Sequence, residues 1–119
     1  MRTRSFVLAL ALCAATPAAA DDDVATIHVT PRTVAAGKQV RVHGIVAACP
    51  VVTLLSRAFP RKHEFAGVPA VDAAVTHAHY SVKIRVPAGK APGRYDITGR
   101  CGGGNLGDDA HLTVTSATY

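Results

Sequence analysis

Apolar and polar residues alternate one by one along short runs of this 119-residue chain, and no window of useful length repeats at the helical period. Successive side chains of an extended strand point to opposite faces, so each run codes a strand with one buried and one wet side. In residues 24–30, Ala25, Ile27 and Val29 share one side and Thr26, His28 and Thr30 the other. Residues 38–46 place Val40, Val42 and Val46 inward, with Arg41 and His43 outward. Residues 51–56 and 68–75 supply a third and a less regular fourth run. The clearest is 77–86, with Tyr80, Val82, Ile84 and Val86 inward and Ser81, Lys83 and Arg85 outward. Residues 94–101 (Tyr95 and Ile97 inward) and 110–115 (Leu112 and Val114 inward) complete the set. Between them lie a connector at 31–37, a long polar loop at 58–67, a turn at 87–93 punctuated by Pro92-Gly93, and a glycine-rich loop at 102–107. Seven short strands at this spacing predict an all-β, immunoglobulin-like Greek-key β-sandwich.

The first 20 residues read differently. Arg2 and Arg4 form a positive start, residues 6–15 an apolar run, and Ala18-Ala19-Ala20 a small-residue cleavage site. The run is about half the ~20 residues that span a bilayer, and Asp21-Asp22-Asp23 follows at once, so a cleaved signal peptide is expected rather than an anchor. Residues 1–20 are then the signal, and 21–119 a single secreted domain with no membrane span. Hydrophobic residues make up 49% of the chain, yet there are only three Phe, three Tyr and no Trp, so the core must be built from Val, Ala, Ile and Leu. So thin a supply calls for a staple.

Cys13 leaves with the signal, and Cys49 and Cys101 remain for an oxidising compartment. With two cysteines the connectivity is forced, and the predicted Cys49–Cys101 bridge clamps one end of the sandwich, where the second and sixth strands finish. A zinc site lacks any Cys-x-x-Cys pair. Eleven basic residues face eight acidic ones after cleavage, a mild excess that gives no reason to expect nucleic acid as a partner. The tyrosine-corner spacing of antibody domains is not met, because Tyr95 lies six residues before Cys101 instead of two.

Ile27-His-Val-Thr-Pro31, Val34-Ala-Ala-Gly37, Val40-Arg-Val-His-Gly44, Cys49-Pro50, Ser56-Arg-Ala-Phe59, Ala91-Pro-Gly-Arg-Tyr95 and Gly99-Arg-Cys101 together resemble the small secreted Ig-like proteins common in actinobacteria. The resemblance covers nearly all of residues 24–115 and implies a fold and a location, with no activity attached. The first two strands also resemble those of the neocarzinostatin-type chromophore-binding apoproteins. That second resemblance implies a small-ligand carrier with an apolar pocket between its sheets.

For chemistry, the histidines stand out. His28, His43, His77 and His79 fall on outward positions of three strands expected to neighbour one another, and His77-x-His79 sets two imidazoles on one face, a spacing that suits copper or zinc. Arg41, Lys83 and Arg85 on the same face oppose a cation. The glycine run at 102–107 has no helix behind it to bind phosphate, and Asn105, Asp108 and Asp109 lack calcium-loop spacing. No Gly-x-Ser-x-Gly elbow is present and Glu64 is the sole glutamate, so no catalytic residue, enzyme activity or cofactor is expected.

Two loop clusters are candidate docking surfaces. At the bridged end, the connection at 47–50 with Pro50 is rigid, while the loop at 102–109, with Gly103, Asn105, Asp108 and Asp109 beside Arg100, can adapt to a polar ligand. At the other end, Arg57, Arg61, Lys62 and His63 around Phe59 and Phe65 either meet an anionic envelope polymer or form a solvated loop whose two rings cap the core. The expectation is a secreted, monomeric, non-enzymatic binding or envelope-associated module whose partner is an envelope polymer or protein. A small-ligand carrier and an extracellular copper or zinc binder are the alternatives.

Overall fold

The computed structural model describes residues 25–102 and 104–117. The expected signal peptide, the Asp21–Asp23 triplet, Val24 and Gly103 lie outside the described residues. Among the described residues nine strands form: β1 (His28–Thr30), β2 (Thr33–Ala35), β3 (Gln39–Ile45), β4 (Val51–Leu55), β5 (Glu64–Phe65), β6 (Val68–Ala74), β7 (His79–Arg85), β8 (Gly93–Cys101) and β9 (Gly104–Thr115). They make a three-stranded sheet ordered β1-β3-β7 and a six-stranded sheet ordered β2-β9-β8-β4-β6-β5. All pairs are antiparallel except β2 with β9, which runs Thr33↔Thr113 to Ala35↔Thr115. With β1, β3 and β7 in the places of strands A, B and E, and β4, β8 and β9 in those of C, F and G, this is the immunoglobulin-like Greek key.

The alternation settles which sides meet. Val29, Val40, Val42, Tyr80 and Ile84 from the smaller sheet, with Ile27 just before β1, pack on Val52, Leu54, Ile97, Leu112 and Val114 from the larger one. The outward residues of β3 and β7, His43 aside, are exposed. Val82, expected inward, is only half-buried.

One approach between backbones needs glycine, and a second glycine faces a packed side chain. A side-chain carbon at Gly44 would collide with the Thr26 carbonyl oxygen, which also accepts a 2.6 Å hydrogen bond from the Tyr80 hydroxyl. At Gly99 it would stand 2.7 Å from Leu106 Cδ1, and the register of β8 against β9 shifts between Thr98 and Arg100. Burial first, and then the charge of Asp108, push the Tyr80 hydroxyl up to about 12. An unfolded tyrosine ionises near 10 while the folded one stays neutral, so this contribution is complete below about pH 10 and is lost as pH rises to about 12. Urea midpoints between pH 8 and 11.5 should therefore fall in the native protein by the equivalent of about 2 kcal/mol more than in Tyr80→Phe.

Several expectations change. The connector at 31–37 holds β2, and the loop at 58–67 holds β5, which pairs with β6 through Glu64↔Pro69 and Phe65↔Val68. Both are too short to show a period, and they exist because a neighbouring strand supplies the ladder. The glycine-rich segment is not a loop: from Gly104 onward it is strand, with Cys101↔Gly104 and Arg100↔Asn105 closing a tight hairpin. β7 starts at His79 rather than at 77, because His77 (φ 52°) and Ala78 (φ 65°) make the two-residue turn bridged by Thr76↔His79. Positive φ at both central positions is the type I′ geometry that fits strand twist.

The tyrosine corner is also present after all. The Tyr95 hydroxyl, near the start of β8, donates to the Ala91 carbonyl four residues upstream at 2.6 Å. The expectation failed because it used a cysteine as its ruler, and here the cysteine sits at the far end of the strand.

Candidate functional site

The bridge forms as expected: Cys49 and Cys101 are linked with Cα atoms 6.0 Å apart. Cys49 lies in the connection between β3 and β4, and Cys101 ends β8 opposite Val52 of β4. The staple thus holds the β3–β4 crossover to the larger sheet at one end of the sandwich.

Around it the predicted ligand residues are occupied with structure. Asp108 Oδ2 accepts the Ile27 backbone N–H at 2.8 Å and so ties the residue just before β1 to β9. Asn105 Oδ1 accepts the Gly107 N–H at 2.9 Å, and Asp109 pairs in register with Thr98. The Arg100 guanidinium lies 4.8 Å over the Phe65 ring, a cation–π contact. Pro50 is exposed, and its carbonyl accepts the Val75 N–H. A rigid support facing an adaptable loop is therefore not what the fold builds at this end, since the adaptable partner is a strand.

On the outer face of the smaller sheet, His28 and His43 are directly cross-strand, with ring centroids 5.5 Å apart. His43 Nε2 sits 3.3 Å from Thr30 Oγ1. Partial burial, then Arg41 and His28, lower its pKa, which favours the neutral ring. His79 is opposite Ile45, two pairs along the ladder from His43, and its Nδ1 is 2.9 Å from the His77 carbonyl. A groove of about 650 Å³ includes His28, His43 and His79. His77 is off this face because it belongs to the turn. Among the described residues no group of three or more His, Cys, Asp or Glu is placed to hold a metal ion.

The space between the sheets, where a carrier would hold its ligand, is filled by Val42, Val52, Leu54, Ile97 and Leu112, all fully buried.

At the end opposite the bridge the cations collect. The start of β3 and the end of β7 are joined there by Gly37 N–H to Val86 carbonyl and Val86 N–H to Lys38 carbonyl bonds, and the antiparallel registers bring the end of β4 and the start of β8 to the same end. Lys38, Arg57, Arg61, Lys62, Arg85, Lys90 and Arg94 thereby stand on or beside one end of the molecule. Among them Glu64 is paired with Arg61 at 2.6 Å. Asp72 lines a groove with Lys62 and Arg85, and Asp96 one with Arg57 and Arg94; each is also bonded locally, Asp72 by Thr53 at 2.8 Å and Asp96 by His111 at 2.7 Å. Asp108 and Asp109 lie midway along β9, and the groove they line also includes Arg94. The modest overall charge is thus unevenly spread, a pattern that composition cannot reveal.

The loop carrying these cations is anchored. Ser56 is buried, its hydroxyl accepts the Ala58 N–H at 3.1 Å, and the Phe59 N–H bonds the Ser56 carbonyl. This turn drives Phe59 into the core, where it is 1% exposed. Of the two rings expected to cap the core, Phe59 does so, while Phe65 stays half-buried against Arg100. Between this turn and the 87–91 turn runs a groove of about 620 Å³.

No protein-family model matches the chain, and no curated protein does. Among solved structures, the bacterial hydrophobin BslA is similar over 77% of this chain and 98% of its own, at 11% identity and a TM-score of 0.49. A Bacillus anthracis protein is similar over 76% of this chain and 84% of its own, at 7% identity and a TM-score of 0.43. The titin M10–obscurin-like 1 Ig complex contributes a chain similar over 81% of this one and 88% of its own, at 16% identity and a TM-score of 0.35. These scores lie below one half and carry no weight for function. The Ig-like assignment rests on the strand order itself.

Proposed function

We propose that this chain is a non-catalytic binding module that works outside the cytosol, at the cell envelope, and that it engages an anionic polymer through the end opposite its disulfide. The observation that carries this reading is the gathering of Lys38, Arg57, Lys62, Lys90 and Arg94 at one end, where the neighbouring acids Glu64, Asp72 and Asp96 are each already hydrogen-bonded. Clustered like charges raise the local potential well above what a small net charge suggests and draw in an anionic chain. A structural disulfide suits an oxidising compartment. Among the described residues no helix is long and apolar enough to cross a membrane.

Retention of the purified protein on immobilised polygalacturonate, on immobilised polyol phosphate and on neutral dextran tests it. Retention on an anionic matrix, elution by roughly 0.3–0.5 M salt as screening sets in, and loss of retention in Lys62→Glu/Arg94→Glu are expected. Equal behaviour on dextran, or unchanged retention of that variant, would refute the reading.

A further inference from the structure

We infer that the groove between the Arg57–Arg61 turn and the 87–91 turn seats one sugar unit of an acidic glycan, with its anionic group held between the cations of the two walls. This deepens the binding reading above and rests on it. The groove is about 620 Å³, within the range of small-molecule sites. Arg57 and Arg61 line one wall and Lys90 the other, so an oxyanion in the groove meets positive charge from both sides. Glu64 holds the Arg61 guanidinium through one nitrogen, Nη1, and the planar fork keeps further N–H donors for a second acceptor.

The aromatic part distinguishes a glycan from a bare anion. Tyr95 also lines the groove, half-buried, and its hydroxyl is tied to the Ala91 carbonyl at 2.6 Å. A ring so fixed offers an apolar face beside a polar tip, a surface suited to the C–H face of a sugar, at little cost in side-chain entropy. Phe59, fully buried beneath, keeps the arginine wall in place. On the far wall the Lys90 N–H bonds the Pro87 carbonyl at 3.1 Å, which fixes the turn that carries the third cation.

Gly89 supplies a test that charge reversal cannot. It lines the groove, its φ lies outside the left-handed region, and nothing stands within 4 Å of where a side-chain carbon would go. Gly89→Phe therefore obstructs the groove while leaving every cation in place. Affinity for an oligogalacturonate and for an oligomeric polyol phosphate is measured by amide chemical-shift titration, with a neutral oligosaccharide of equal length as control. Shifts centred on Arg57, Lys90 and Tyr95 are expected with the oligogalacturonate; binding of the polyol phosphate alone, which has no sugar ring, overturns the sugar subsite and leaves the groove as an anion site. A drop of about tenfold or more is expected in Gly89→Phe and in Arg57→Gln/Lys90→Gln, with melting temperatures confirming that each variant is folded. If Gly89→Phe proves unfolded, Arg57→Gln/Lys90→Gln alone decides.

A folded Gly89→Phe with native affinity, or shifts confined to Lys62 and Arg85, overturns the groove while leaving the basic end as the binding surface. Binding of the neutral oligosaccharide as tightly as the acidic ones removes the role of charge. No retention on either anionic matrix removes both proposals.

Discussion

Phe59→Ala is expected to lower the unfolding free energy by about 3–5 kcal/mol, the loss typical of emptying a buried phenylalanine site. The ring is 1% exposed and belongs to a loop, yet it is the largest of the side chains that are fully buried. A chain with three Phe and no Trp has few residues able to fill the open end of its sandwich. The Ser56 turn is what commits the ring inward, since both the Ser56 hydroxyl and its carbonyl accept N–H groups from residues that follow. Phe59→Leu, which keeps most of the volume, should recover the greater part of the loss. Urea unfolding of the three proteins checks this, and a loss under about 1 kcal/mol in Phe59→Ala would mean that the ring is not part of the core. The same variant reports on the groove, because the turn that positions Arg57 and Arg61 is held down by this ring.

Replacing Cys49 and Cys101 together by serine should cost about 4 kcal/mol. The bridge spans 52 residues, more than half of the domain, and in the chain-entropy account a loop of that length restricts the unfolded ensemble by this amount. Small domains are stable by only about 5–15 kcal/mol, so the reduced protein should sit near the edge of folding at 37 °C. Equilibrium unfolding of the double variant, beside the oxidised parent, gives the number. Because the bridge joins the β3–β4 crossover to the end of β8, it lies at the end remote from the cations. Where the reduced variant is still folded, its retention on an anionic matrix should be unchanged. A loss under about 1 kcal/mol would show that the packing of β4 against β8 already fixes this end without help.

The inward faces were legible because strand periodicity is local. Ile27, Val29, Val40, Val42, Ile84, Ile97, Leu112 and Val114 are buried where alternation put them, and each needs only its two neighbours to declare its side. Cysteine pairing was legible for a different reason: two cysteines allow one intramolecular bond. Where alternation was read past a turn it failed, as at His77, whose positive φ takes it out of the ladder. Where glycines were read as a loop it also failed, because Gly104 and Asn105 are strand only through their pairing with Cys101 and Arg100. The corner made by Tyr95 escaped notice because it is a distance to a carbonyl, not a spacing to a cysteine.

By itself, then, the sequence determined that the chain is all-β, which faces of its longer strands are apolar, and which cysteines join. The tertiary structure alone decided that β2 runs parallel to β9, that Asp108 is spent on the Ile27 N–H, and that Arg57, Arg61 and Lys90 share a groove. Those residues are about 30 positions apart in the chain, and a period of two says nothing about which loops emerge at the same end. That depends on how often the chain crosses between sheets, a property of long-range strand pairing, whereas the alternation it is built from is written residue by residue.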